Sequence, residues 1–324
     1  MDQPHVQRKS RRAFLQTTGA ATAMLMLPSS GDGAEQPGIN RVPELAGAIG
    51  VVSASFSSQF SARSKERKFT LLELPKILRD ELDMRVIDLN TSSVPKFASV
   101  DHKYLDSLRS AADKAGCVIT NLKMNQRGLD MNSPNKAVRV KALTEYKRSI
   151  DIAAQLGCRW SRPLPQKEKP DLAIHVESYK ELCDYGAERK VQLLVENFGW
   201  MQADSDSVVN LIKSIGSNVA AGVDTGNWNS NELRDEGLKK SFPLAATCDF
   251  KAKAMGPNGE HPLYDLKRCF DIAWDSGFRG PWSLEHGNPN TKTLMRELGL
   301  LREMLRKWTA ERNVERTGER SDEE

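Results

Sequence analysis

Four acids stand near the ends of short apolar runs: Glu196 in VQLLVENF, Asp224 in NVAAGVDTGN, Asp249 in AATCDFKAK and Glu285 in GPWSLEHG. They follow one another at intervals of 28, 25 and 36 residues. One strand, one helix and two loops take about 31 residues when a barrel of roughly 250 residues is divided into eight units. The spacing therefore predicts acids on consecutive strands, all at one end of the sheet. Carboxylates that converge repel one another, and a divalent cation held among them relieves the repulsion. Such a cation polarises a neighbouring carbonyl, while a carboxylate beside it can take a proton from carbon.

The segments between and before these acids supply the elements that must position them. Reading back from Glu196, further apolar runs extend over Leu45–Ser55, Met84–Asn90, Cys117–Met124 and Cys158–Pro165. Between them lie apolar residues at helical spacing, as in Tyr104, Leu105, Leu108, Ala111 and Ala112, followed by a helix end at Ala115 and Gly116. Strand and helix alternate eight times, which predicts an α/β chain forming a single (β/α)8 TIM barrel. No G-x-G-x-x-G follows the first strand, against a dinucleotide-binding sheet.

The barrel is expected over residues 37–310, about 270 residues and enough for one large core. Formal charge is +4, of which the first 33 residues carry +2, through Arg8, Lys9, Arg11 and Arg12 against Asp2 and Asp32. The remainder is close to neutral, with its Lys and Arg interleaved with acids on helix faces, so nucleic acid is not an expected partner. Cys117, Cys158, Cys183, Cys248 and Cys269 form no C-x-x-C pair and read as free core thiols. Of the histidines, only His261 and His286 lie in stretches that face the predicted site; His102 and His175 belong to helices.

The ends read differently. Ser10 to Gln16 is SRRAFLQ, preceded by Arg8 and Lys9 and followed by a mild apolar stretch, Ala20 to Leu27. This resembles a twin-arginine export signal, so residues 1–36 are expected to be a signal peptide and linker, with the export machinery as partner and a periplasmic destination. The apolar stretch is too short and broken to remain as a membrane span. Apolar periodicity stops after Trp308, and 311–324, ERNVERTGERSDEE, reads as a charged, disordered tail.

VENF, VDTGN, the CDFKAK strand and GFRGPWSLEHG together resemble the sugar phosphate isomerase and epimerase family, the xylose isomerase-like barrels that include D-tagatose 3-epimerase. The resemblance runs from about Ala46 to Leu301, with its specific motifs in the second half. It implies one divalent metal, held by a Glu, an Asp, a His and a Glu. Glu196, Asp224 and Glu285 match three of these, and Asp249 stands where relatives often read H-x-K. A set of Glu196, Asp224, Asp249 and Glu285 suits magnesium or manganese better than zinc.

The resemblance further implies that Glu196 and Glu285 exchange protons with substrate carbon. Asn227 replaces a His of the epimerases; it can bind a sugar hydroxyl but cannot exchange protons. Lys251 either acts on substrate or is a counter-ion to the acids, and His261 either binds substrate or lies in an exposed loop. Trp228, with Phe198 and Trp200, either stacks on a sugar face or packs βα loops. Asp88, Asn90, Asn121, Lys123 and Arg162 are further polar residues at strand ends. An endonuclease relative would need many histidines and a cationic surface, and this chain has neither.

The expected activity is metal-dependent isomerisation or epimerisation of a sugar or sugar derivative. The alternatives are β-elimination from an oxidised 3-keto glycoside and a non-catalytic sugar-binding barrel. Export is testable on the sequence alone: changing Arg11 and Arg12 together to Lys should hold the protein in the cytoplasm, because the paired guanidinium groups are the address. Fractionation that still finds the variant outside the cytoplasm would show that another signal operates.

Overall fold

A computed structural model describes residues 43–60, 68–164, 166–256 and 259–321. The expected signal segment and linker at 1–36 lie outside the described residues. In chain order the elements are β1 Ile49–Val52, α1 Ser57–Phe60, α2 Leu74–Leu82, β2 Val86–Asn90, α3 His102–Ala115, β3 Val118–Met124, α4 Lys136–Leu156, β4 Trp160–Pro163, α5 Leu172–Glu188, β5 Gln192–Val195, α6 Ser207–Ile215, β6 Val219–Asp224, α7 Asn231–Ser241, β7 Ala245–Lys251, α8 Leu266–Asp275, β8 Trp282–Glu285 and α9 Thr291–Ser321. The strands pair in sequence order, all parallel, and β8 closes on β1. The predicted (β/α)8 barrel is the observed fold, and each predicted strand run contains a strand.

Local chemistry sets the helix boundaries. Asp101, Asn135, Asp171, Ser230 and Asp265 each accept a hydrogen bond from a first-turn amide, satisfying a donor that has no partner inside the helix. Gly116 and Gly157 end α3 and α4 at φ 67° and 77°, where a side chain would strain the backbone.

Side chains alternate in and out along each strand. On β2, Ile87 and Leu89 face the helix layer, which holds the main core with Phe56, Leu108, Tyr146, Leu182, Phe250 and Phe270. Val86 faces the barrel axis, in a small inner cluster with Trp160, Leu194, Ala220 and Ala246. This cluster packs the barrel interior below the charged groups of the C-terminal mouth. All five cysteines are buried and free, as expected. His175 is buried near the start of α5, its Nδ1 bonded to Asn132 and its ring edge-on to Tyr179. No described helix is long and apolar enough to cross a membrane.

The C-terminal region differs from expectation. Leu294, Leu298, Leu301 and Leu305 form the buried stripe of α9, and the apolar pattern does end near Trp308. The helix nevertheless continues to Ser321, through the segment expected to be a disordered tail. Arg312 explains the continuation in part: it pairs with Asp275 and lies 4.0 Å from Asp271, both on α8, and 3.4 Å from Glu315 one turn on. Ion pairs extend a helix that already has an anchored apolar half.

A candidate metal and proton-transfer centre in the barrel mouth

Strand register decides which charges become neighbours. On β6 and β7, Asp224 pairs with Asp249. Lys251 on β7 pairs with Glu285 at the end of β8. On the opposite wall, Lys123 of β3 pairs with Arg162 of β4. The late strands thus present Asp224, Asp249 and Glu285 with Lys251 among them, and the facing wall presents Lys123 and Arg162.

The cations cross that lumen. Lys123 reaches Asp249 in direct contact and stands 3.8 Å from Glu196 Oε2. Arg162 Nε lies 2.7 Å from the same Glu196 oxygen, an ion pair whose angle is not that of a hydrogen bond. Lys251 Nζ is 3.2 Å from Asp224 Oδ2 and 2.7 Å from Glu285 Oε1. Asn227 bridges the two halves, donating to Glu196 Oε1 and accepting from Lys251, each at 3.2 Å. Asp88 on β2 accepts from Asn121 at 3.2 Å.

The loops are fastened to the strand ends. Asn197 accepts from the Asp224 amide and donates to the Asp224 carbonyl, extending the sheet by a side-chain amide. Asp224 Oδ1 accepts from the Gly226 amide at 2.7 Å. A Cβ on Gly226 would sit 2.7 Å from Lys251 Cδ and from the Tyr264 hydroxyl, so glycine in VDTGN makes room for Lys251 to pass.

One oxygen from each of Glu196, Asp224 and Asp249 lies within 4.8 Å of the others, and all three residues are buried. Asp249 Oδ1 has no hydrogen-bond partner although the residue is 3 % exposed. An orphaned buried carboxylate oxygen beside two more carboxylates fits a hard divalent cation, so this triad could coordinate one such ion. Glu285 lies outside the group. Its register places it opposite Lys251, which has captured its carboxylate, so the expected four-ligand set becomes three acids with a fourth held nearby.

Charge and burial shape the acidities. Burial raises the carboxyls of Asp88 and Asp224 to about 6, against the pull of Lys123 and Lys251 respectively. Burial also pushes Asp249 well above the usual range although Lys123 opposes it. Glu196 is buried as deeply, yet Arg162 and Lys123 outweigh that and hold it below its ordinary value. Burial disfavours the Lys123 ammonium, but Asp249 and Glu196 reverse the effect and hold it charged. With all groups ionised, Asp88, Glu196, Asp224, Asp249 and Glu285 exceed Lys123, Arg162 and Lys251 by two negative charges.

The other predicted residues fall in different places. Asn227 and Lys251 belong to the cluster. Trp228 does not face it: its ring packs where a Cβ on Gly237 of α7 would meet it at 2.2 Å, which is the packing role. His261 Nε2 accepts from the Lys253 amide and Nδ1 contacts the backbone of Tyr264. It lines a surface cavity of about 490 Å³ with Tyr264, Met304 and Trp308, outside the acid cluster. His286 points outward, between the Ala252 carbonyl and Glu297 of α9. Lys123 and Arg162 stood in the sequence only as strand-end polar residues. The signal that marks them is parity: each is two residues beyond an inward-facing position, Asn121 and Trp160.

Comparison with known proteins agrees with this architecture. The model of a family described as xylose isomerase-like TIM barrel matches residues 81–308. D-psicose 3-epimerase from Clostridium cellulolyticum H10, solved with D-tagatose, is 15 % identical with a TM-score of 0.64, covering 80 % of this chain and 98 % of that one. An L-ribulose 3-epimerase is 15 % identical at a TM-score of 0.64, covering 83 % and 97 %. A xylose isomerase-like TIM barrel protein from Mycobacterium smegmatis, in complex with magnesium, is 17 % identical at 0.59, covering 81 % and 97 %. No curated protein matches the sequence. At these identities the likeness is one of fold.

The buried ion pair generates a stability prediction. Arg162→Leu leaves Glu196 buried with Lys123 at a distance, and should cost about 3–5 kcal/mol in chemical denaturation, as should Glu196→Leu. The double variant should cost far less than the sum, because neither member of the pair is left buried without the other. Additive losses would show that the two groups do not depend on each other.

Proposed function

The chain belongs to the xylose isomerase-like TIM barrel family, and on that premise we propose that it is a metal-dependent enzyme that isomerises or epimerises a sugar or sugar derivative. The observation that carries this reading is the buried triad of Glu196, Asp224 and Asp249 with Glu285 held beside it. Solved relatives named as epimerases of ketoses, and one bound to magnesium, support the substrate class and the ion. A bound divalent ion would polarise a substrate carbonyl and its neighbouring hydroxyl, making the adjacent C–H more acidic.

The chain's own residues then divide the work. Glu196, Asp224 and Asp249 would hold the ion. Glu285, with a quarter of its side chain exposed, is the carboxylate open to substrate and takes the proton from carbon. Lys251 fixes its orientation from 2.7 Å. Glu196 is a weaker base, since Arg162, Lys123 and Asn227 engage its oxygens.

That pinning of Glu196 favours chemistry with one mobile base. Isomerisation by a single carboxylate meets this condition, whereas epimerisation needs a second acid on the opposite face. β-Elimination from a 3-keto glycoside, which begins with the same abstraction beside a carbonyl, is accordingly the second reading.

Exchange of the substrate's carbon-bound hydrogen with deuterated water tests both. The manganese-loaded wild type should catalyse exchange with a member of a panel of ketoses and 3-keto glycosides. Glu285→Gln should slow it by about 10²–10⁴, with binding changed much less. Exchange undiminished in Glu285→Gln would remove Glu285 as the base. Binding without exchange by the wild type would leave a sugar-binding barrel instead.

A further inference from the structure

Lys123 is the group that neither the triad nor the proton-transfer scheme requires. It rises from β3, on the wall opposite the acids, and its side chain is 4 % exposed. Its ammonium contacts Asp249 and stands 3.8 Å from Glu196. Those are two of the three carboxylates able to ligate an ion. Asp88 and Glu285 attract the same ammonium.

We propose that Lys123 is a resident cation that competes with the divalent ion for the Asp249 and Glu196 carboxylates, and so sets the metal affinity of the site. The inference rests on the metal-dependent reading given above. A hard cation approaches a carboxylate oxygen to about 2.0–2.6 Å. An ammonium already bonded to the same carboxylate would then lie within a few ångströms of the ion, in a space that screens charge poorly. Ion entry therefore requires the ammonium to withdraw from Asp249, and the cost of withdrawal lowers the apparent affinity. Two features fit this arrangement. The acid at 249 supplies a negative charge that a neutral imidazole would not, so the residue can hold either cation. The second Asp249 oxygen, Oδ1, which Lys123 does not engage, is buried without a hydrogen-bond partner, as expected of an atom that an ion would ligate.

The device has a functional consequence. A site with an internal counter-ion stays folded without metal, because the acids remain partly compensated. A site of bare carboxylates would depend on the ion for its integrity.

The test is calorimetric titration of manganese into the full chain after chelator treatment and dialysis. Lys123→Met keeps the length of the side chain and removes its charge. It should bind one manganese ion at least tenfold more tightly than the wild type, a difference of about 1.4 kcal/mol. Lys123→Gln, which keeps a donor for Asp249, should behave likewise and serves if the Met variant does not fold. In both, manganese should raise the melting temperature more than in the wild type. Equal or weaker binding by the variants, with the wild type binding normally, overturns the competition and leaves the metal reading intact. Binding by the variants alone supports Lys123 as the occupant and overturns metal dependence of the native chain. No binding by any of the three overturns both.

Discussion

A closed parallel barrel cannot spread its acids apart. Register brings Asp224 beside Asp249, and neighbouring strands add Glu196 and Glu285, in a mouth sealed below by Trp160, Leu194 and Ala220. Two like charges 4 Å apart at an effective dielectric constant near 20 cost about 4 kcal/mol. Four such acids without compensation would consume a large part of a domain's net stability of about 5–15 kcal/mol. The rest of the site follows from that constraint: Lys123 and Arg162 on the facing wall, Lys251 within the acid row, and Asn227 tying the two halves together.

Compensation by these three cations is incomplete by two charges. Two protons can make up the difference, and burial, which pushes the Asp249 carboxyl well above the usual range and those of Asp88 and Asp224 to about 6, favours the protonated form at these groups. One divalent ion can also make it up, and the triad of oxygens within 4.8 Å gives it a place. The two solutions differ in what they offer chemistry. Protons silence the carboxylates, whereas an ion leaves Glu285 free to act beside a polarised substrate.

The strands and the acids were legible because they share one signal, an apolar run that ends in a carboxylate at the spacing of a βα unit. Glu196, Asp224 and Asp249 converge as that spacing implied. Lys123 and Arg162 stand in the sequence as polar residues at strand ends without a legible role, because nothing in composition distinguishes a buried lysine or arginine from one on a helix face. Only strand parity marks them, and parity is visible once the strand boundaries are fixed. The capture of Glu285 by Lys251 depends on register between β7 and β8, a three-dimensional relation that spacing along the chain does not carry. Trp228 followed the right strand but turned to pack against Gly237, because a ring too large for the crowded mouth finds room over the helix layer. At the C-terminus, loss of apolar periodicity marked the end of core contacts but not of the helix, since Arg312 anchors the next turns by charge.

Glu196, Asp224 and Asp249 would form one divalent site whose occupation displaces Lys123. An anomalous difference map from crystals of the full chain grown with manganese measures this directly. One peak should lie within about 2.0–2.6 Å of an oxygen from each of the three acids, with the Lys123 ammonium withdrawn from Asp249. A mouth with no peak among these acids, and Lys123 still seated on Asp249, would contradict it.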